Sequence, residues 1–445
     1  MPQPFDQFAA TLTYDDLPDD VLWTLRRSFT DTVGTAAVGT TTQMADIARR
    51  GARALFGVGG AGAARIMLDG TAVSPAGAAM AGAFTVDAID AHDTTSPAQG
   101  HAGSAVFPAL LAFADASAVP VTGRDFMLWL AIAYEVSYRA GLAQHATCAD
   151  YHTSGAWTST GIAVAVARAM GLNRAQIRHA AGIGEFHGPR SQMMRCIDHP
   201  TMLRDGVGWG APSGLSAAYL AREEFTGAPA LTCEDAPEFW RDLGTVWRTV
   251  TDTAYKPYPC CRWAHPAIDA AAGLMTQHGV THQDITRVKV RTFHKATRLA
   301  GHTPKSLDEF TYSIAFPLAC MIVRGQIGLE ELQPETLQDA DILRISTATE
   351  LIDDPHYTRI SVGTRWAEVA LHLNDGRTLT SAPHSPRGDR DRPLSDAQIA
   401  QKFHLFSDPV LGRARAEEIY DLTGRFDSLD ATGFARLLDL CLTAP

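Results

Sequence analysis

Apolar residues recur at helical spacing over most of the first 270 positions of this chain. Val21, Leu22, Leu25, Phe29 and Val33 mark one face of a helix that starts behind Pro18, with Asp19 or Asp20 as its cap; Arg26, Arg27 and Asp31 occupy the other face. Further helices are predicted over 42–56, 74–89, 104–116, 124–144, 154–171 and 174–188, separated by short breaks. The run FMLWLAIAYEVSYRAGL is apolar nearly all round, which marks a helix inside an all-α domain. The period then changes. ITRVKVRTF alternates as a half-buried strand does, and WAEVALHLNDGRTLTS puts Asn374-Asp375-Gly376 as a hairpin turn between two strands. From Ser395 amphipathic helices return, and Leu437, Leu438 and Leu440 close the chain. The predicted fold is mostly α with a smaller α+β domain: a large all-α helical domain over 1–274 and 395–445, and a small α+β domain over 275–394. A pocket is expected at the seam between them.

Composition narrows the function classes. With 445 residues, 46% of them hydrophobic, the chain can bury a sizeable core. The net charge of −11 comes without any basic run, which argues against nucleic acid and anionic membrane surfaces as partners. The most apolar stretch, Phe126–Tyr134, falls far short of the ~20 residues that a membrane span needs. Seven cysteines without a CxxC spacing suggest neither a disulfide framework nor a zinc ribbon and suit a reducing cytoplasm, where the protein is expected; no signal-peptide pattern is visible at the N-terminus. Gly57, Gly59 and Gly62 spell G-x-G-x-x-G, but after a helix and before the strand-like Ala64–Leu68, the reverse of a dinucleotide fingerprint. They are read as a flexible turn.

Two clusters carry candidate chemistry. In VDAIDAHDTTSPAQGHAGSAVFP, residues 86–108, Asp87, Asp90 and Asp93 recur every three residues where an apolar helix stops, with His92 among them and His101 following. Acids and bases between two buried helices suit proton transfer, because burial moves their pKa values; a solvated loop is the bland alternative. His152, beside Thr153 and Ser154 at a helix start, is either a capping residue or a base. The glycine-rich loop after residue 188 holds Arg190, Arg195 and Arg204, which either clamp carboxylates bidentately or are plain surface charge. The second cluster is YKPYPCCRWAHP, residues 255–266. Its prolines hold the backbone in restricted, extended conformations and so position Lys256, Tyr258, Arg262 and His265. A lysine held on such a turn suits either an anchor for a substrate carboxylate or a proton donor.

Asp90-x-x-Asp93-Thr94 followed by His101-Ala-Gly-Ser-Ala-Val-x-Pro108, then YHTSG at 151–155, KPYPxCRWxHP at 256–266 and YSIAF at 312–316 together resemble the MmgE/PrpD family, in order and over almost the whole chain. The resemblance implies a large all-α domain, a smaller α+β lid, a homodimer, and chemistry on small di- or tricarboxylates without metal or organic cofactor. That family includes 2-methylcitrate dehydratase, cis-aconitate decarboxylase and iminodisuccinate epimerase. Carried over, its catalytic residues fall on Asp90, Thr94, His101, His152 and Lys256, and substrate contacts are expected of Arg190, Arg204, Tyr258, Arg262 and Tyr312. Two positions depart from the pattern: Arg204 stands where the family has a lysine and Phe316 where it has a tyrosine. The resemblance points to a lyase working by α-proton transfer, with dehydration, decarboxylation and epimerisation open; a carboxylate-binding homologue without catalysis is the alternative.

Overall fold

In the computed structural model, which describes residues 3–299 and 301–445, the predicted helices appear in order. They span Asp19–Gly39, Gln43–Leu55, Pro75–Asp87, Gly103–Asp115, Gly123–Thr147, Gly155–Ala169 and Arg174–His187. The side chains of Thr42, Ser74 and Thr122 accept backbone N–H groups at three of their starts. The first of these helices is entered through Pro18 with no side-chain cap, so Asp19 and Asp20 act from within its first turn on the helix dipole. Helix Gly123–Thr147 is the buried one, and its Phe126 meets Phe29, Phe426 and Phe434 in one aromatic cluster. Strand β1, Ala64–Arg65, is shorter than expected; it pairs antiparallel with β2, Ala72–Val73, beyond the Gly57–Gly62 turn. The glycine-rich loop after residue 188 is only partly irregular. It contains a one-turn helix, Met194–Asp198, and ends where helix Val207–Arg222 begins at Gly206, φ +69°.

The smaller domain is built on a four-stranded sheet: β3 (Ile285–Thr292), β4 (Thr349–Asp353), β5 (Ala367–Leu373) and β6 (Thr378–Thr380), in the order β4-β3-β5-β6. β3 and β4 are parallel and the other pairs antiparallel. AEVALHL in β5 buries every second side chain, as its alternation requires, and Gly376 supplies the positive φ of the hairpin. Helices His265–His278 and Ala315–Arg324 cover this sheet. Pro266 sits in the first turn of its helix, where a missing N–H costs nothing, and so starts that helix rather than breaking it. The expected boundary at 275 falls inside this helix, and Tyr258, Trp263 and Ile268 already belong to the second hydrophobic core. The C-terminal helices Asp396–Leu411, Arg413–Gly424 and Ala431–Leu442 return to the helical body, with Leu437, Leu438 and Leu440 buried in its core. Lys402 on the first of them donates to Asp31 at 2.6 Å and to the carbonyl of Ala91 at 2.5 Å, pinning the loop that follows Asp87. Among the described residues no helix is long and apolar enough to cross a membrane.

Candidate active site

Where helix Pro75–Asp87 ends, the chain does not run into solvent. Asp87, Asp90, His92 and Asp93 are all buried, and Asp90 takes a left-handed backbone (φ +52°), which a short polar side chain tolerates. Among the described non-glycine residues, Gln99 and Arg204, which share this region, also have positive φ. Gly100 closes the loop tightly against helix Gly155–Ala169: a Cβ there would lie 2.3 Å from the Ser154 hydroxyl.

Two imidazoles organise the interior of this loop. His92 and His101 stand edge to face with ring centroids 4.5 Å apart, and both turn Nδ1 on the carbonyl of Asp93, at 3.2 and 2.8 Å. A carbonyl only accepts, so each Nδ1 carries the hydrogen and each Nε2 a lone pair. Burial pushes His92 down to about 3 and His101 well below the usual histidine range, so both rings are neutral. The Nε2 of His92 meets Asp87 at 3.0 Å, and that of His101 faces Asp205 at 3.7 Å and Asp90 at 3.9 Å. Burial pushes Asp87 up to about 6 and Asp205 up to about 7; the nearby Asp87 carboxylate also raises Asp205, while the Asp205 backbone N–H donates to Asp87 at 3.3 Å and holds it lower. Asp93 is pushed up to about 7 by burial and accepts from the Tyr134 hydroxyl at 2.6 Å and the Gly103 N–H at 3.0 Å. Lys256, 0% exposed, gives its ammonium to the side chain of Asp90 and, at 2.9 Å, to its carbonyl.

Above this floor opens a narrow cleft of about 40 Å³, at the seam of the two domains. The body contributes Asp90, Thr94, His101 and Asp205, and the smaller domain Arg262, Tyr312 and Arg365. The Tyr312 hydroxyl is buried and has no hydrogen-bond partner among the described residues. Arg262 is paired with Asp389, whereas Arg365 makes no ion pair among the described residues and bonds only the carbonyl of Thr364, at 3.1 Å, and that of Ser361, at 3.5 Å.

Of the residues expected at the site, Asp90, Thr94, His101, Arg262 and Tyr312 line the cleft and Lys256 lies directly beneath Asp90. Four do not reach it. His152 forms an extended bridge with Gln192, and in an extended chain its neighbour Tyr151 takes the cleft-facing place. Arg190 is 41% exposed and points towards Glu185, 3.9 Å away. Arg204 is buried but spent on Asp308 and Thr311, at 2.7 and 3.0 Å. Tyr258 bonds Asp269 and Arg387 on the far side of the proline-rich turn. Phe316 packs on Phe310 inside the second core, away from the cleft. Asp205 and Arg365 went unnoticed in the sequence. Asp205 directly follows Arg204 in a loop read only for its arginines, and nothing in GTRW sets Arg365 apart from other arginines.

Family models place this geometry. The MmgE/PrpD N-terminal domain matches residues 3–241 and the MmgE/PrpD C-terminal domain residues 258–425. The chain belongs to the MmgE/PrpD family. The second match begins at 258, where the second hydrophobic core also begins. Curated relatives of this MmgE/PrpD protein include a cis-aconitate decarboxylase of Aspergillus terreus, 24% identical over 97% of this chain and 94% of its own length. The cis-aconitate decarboxylase of Homo sapiens is 23% identical over 93% of this chain and 89% of its own, and that of Mus musculus 24% over 82% and 78%.

Proposed function

We propose that the protein is a lyase that transfers a proton at a carbon next to a carboxylate of a small di- or tricarboxylate, with decarboxylation of cis-aconitate as its leading reaction. The observation that carries this reading is the cleft-facing lone pair of His101 Nε2, in a ring held neutral by burial and oriented by the Asp93 carbonyl, in a cleft also lined by Arg365, a guanidinium with no carboxylate partner among the described residues. Arg365 binds a substrate carboxylate. Tyr312 and Thr94 supply hydroxyls to it, and Lys256 balances the charge of Asp90 below the reacting carbon. Decarboxylation of cis-aconitate breaks the bond to one carboxylate, shifts the electron pair through the existing double bond, and requires one proton at the far carbon. The scheme uses side chains alone. The names borne by the relatives support the same substrate class.

Incubation of the protein with cis-aconitate, 2-methylcitrate, citrate and iminodisuccinate in heavy water, followed by proton NMR, tests this. The expected outcome is loss of carbon dioxide from cis-aconitate with one deuterium at the newly formed C–H. A new conjugated double bond from 2-methylcitrate makes it a dehydratase, and deuterium wash-in without loss of any group makes it an epimerase. No change in any of the four acids overturns the enzymatic reading in favour of a carboxylate-binding homologue.

A further inference from the structure

The cleft holds a lone pair on His101, but the proposed reaction also needs a group that gives a proton, and neutral His101 has none to give from Nε2. The chain supplies one candidate from a different element. Asp205 sits at the end of the loop leading into helix Val207–Arg222, 2% exposed, and lines the cleft. Its Oδ1 accepts from the Ser154 hydroxyl at 2.8 Å, and that same hydroxyl oxygen takes the backbone N–H of His101 at 3.0 Å. Ser154 thus fixes Asp205 and His101 relative to each other and leaves Asp205 Oδ2 turned towards His101 Nε2. A lone pair facing a carboxyl oxygen is repulsive unless a proton lies between them. The matching pair Asp87–His92 lies outside the cleft lining, so of these two carboxyls it is Asp205 that borders the substrate's space.

We propose that Asp205 is the catalytic acid of this site. The inference rests on the lyase reading above. In the decarboxylation, the Asp205 Oδ2–H bond breaks and its electron pair stays on the carboxylate. The π pair of the substrate's double bond takes the proton, forming the new C–H bond. The bond to the departing carboxylate breaks, its electrons form the shifted double bond, and carbon dioxide leaves. A proton from water, passed through His101 Nε2, restores the acid, so each turnover consumes one proton.

Burial disfavours a negative charge on Asp205, the nearby Asp87 and Asp90 carboxylates act in the same direction, and the Ser154 hydrogen bond and Lys256 oppose them only in part. Tyr151, Tyr312, Cys196 and Cys261, also within its field, are all held neutral by burial.

The test is Asp205→Asn, which keeps an oxygen for Ser154 and removes the transferable proton, beside Asp205→Glu, which restores it. In D205N the rate of carbon dioxide release is expected to fall at least about 100-fold with KM nearly unchanged. The wild-type rate is expected to decline as pH rises through the elevated Asp205 value, and D205E to keep that alkaline limb at a reduced rate. In parallel, the infrared difference spectrum of wild type minus D205N at neutral pH should show the loss of one protonated-carboxyl component, a readout independent of turnover. A D205N enzyme with wild-type kcat, or a wild type whose protonated-carboxyl band survives in D205N unchanged, overturns the assignment. A wild type inactive on all four acids sinks the lyase reading instead, while the infrared band still decides where the proton sits.

Discussion

His92 and His101 share one acceptor, the carbonyl of Asp93, yet only His101 turns its free nitrogen into the cleft. The two rings are thus chemically alike and functionally different. His101→Gln is expected to lower kcat by about 10²–10⁴-fold while leaving the melting temperature close to wild type, because its ring lies at the cleft edge. His92→Gln is expected to lower stability by about 1–3 kcal/mol, since Asp87 loses a buried partner, with the smaller loss of kcat of the two. Thermal melts and steady-state rates on both variants check the split; equal kcat losses would remove the distinction.

The same burial makes the fold sensitive to acid. His92 is pushed down to about 3 in the folded protein against 6.5 for the free side chain. Below pH 6.5 the unfolded chain takes up a proton that the folded chain refuses, so stability present above 6.5 is lost as pH falls towards 3. At pH 5 the loss from this residue is about 2 kcal/mol. Urea unfolding at pH 7.5 and pH 5 should show a steeper decline for the wild type than for His92→Gln, and parallel declines would disprove the assignment.

Arg365 lines the cleft without an ion pair among the described residues, while Arg204 and Arg262 are each held by an aspartate. A guanidinium left free in this way is available to a substrate carboxylate, and a charge-assisted hydrogen bond contributes about 1.5–3 kcal/mol. Arg365→Met is therefore expected to raise KM for a tricarboxylate about 10- to 100-fold, to change kcat less, and to leave the unfolding midpoint at or above wild type. Rates measured against substrate concentration decide it; an unchanged KM would mean that the anchor lies elsewhere.

Much of this was readable from residue patterns, and the exceptions have physical causes. The helices of the body and the Asn374-Asp375-Gly376 hairpin follow from periodicity and turn chemistry, which are local. Asp90 and His101 were legible because acids and imidazoles interrupt an apolar run. His152 and Tyr151 could not be told apart, because which of two adjacent side chains faces a cleft depends on the register of an extended bridge with Gln192. The fate of each arginine was hidden for a related reason. Arg204 is taken by Asp308 and Arg262 by Asp389, more than 100 positions away in the chain, and only the fold reveals which guanidinium is left over.

The structure gives Arg204 a joining role. From a loop of the helical body its fork reaches Asp308 and Thr311 in the smaller domain, and its guanidinium lies 5.8 Å from the centre of the Tyr312 ring, whose hydroxyl borders the cleft. Its strained backbone, φ +44°, delivers Asp205 to the cleft in the next position. Removing one partner of a buried ion pair strands the other, so Arg204→Met is expected to cost about 3–5 kcal/mol. Arg204→Lys keeps the charge but not the two-pronged geometry and should fall between. Replacing both partners, Arg204→Met with Asp308→Leu, leaves no stranded charge and should recover most of the stability. It should not recover substrate affinity, because Tyr312 would still have lost the side chain that packs against its ring. Urea unfolding of the wild type, Arg204→Met, Asp308→Leu and the double variant gives the coupling energy directly, and additive losses in the double variant would show that Arg204 and Asp308 do not act as a pair.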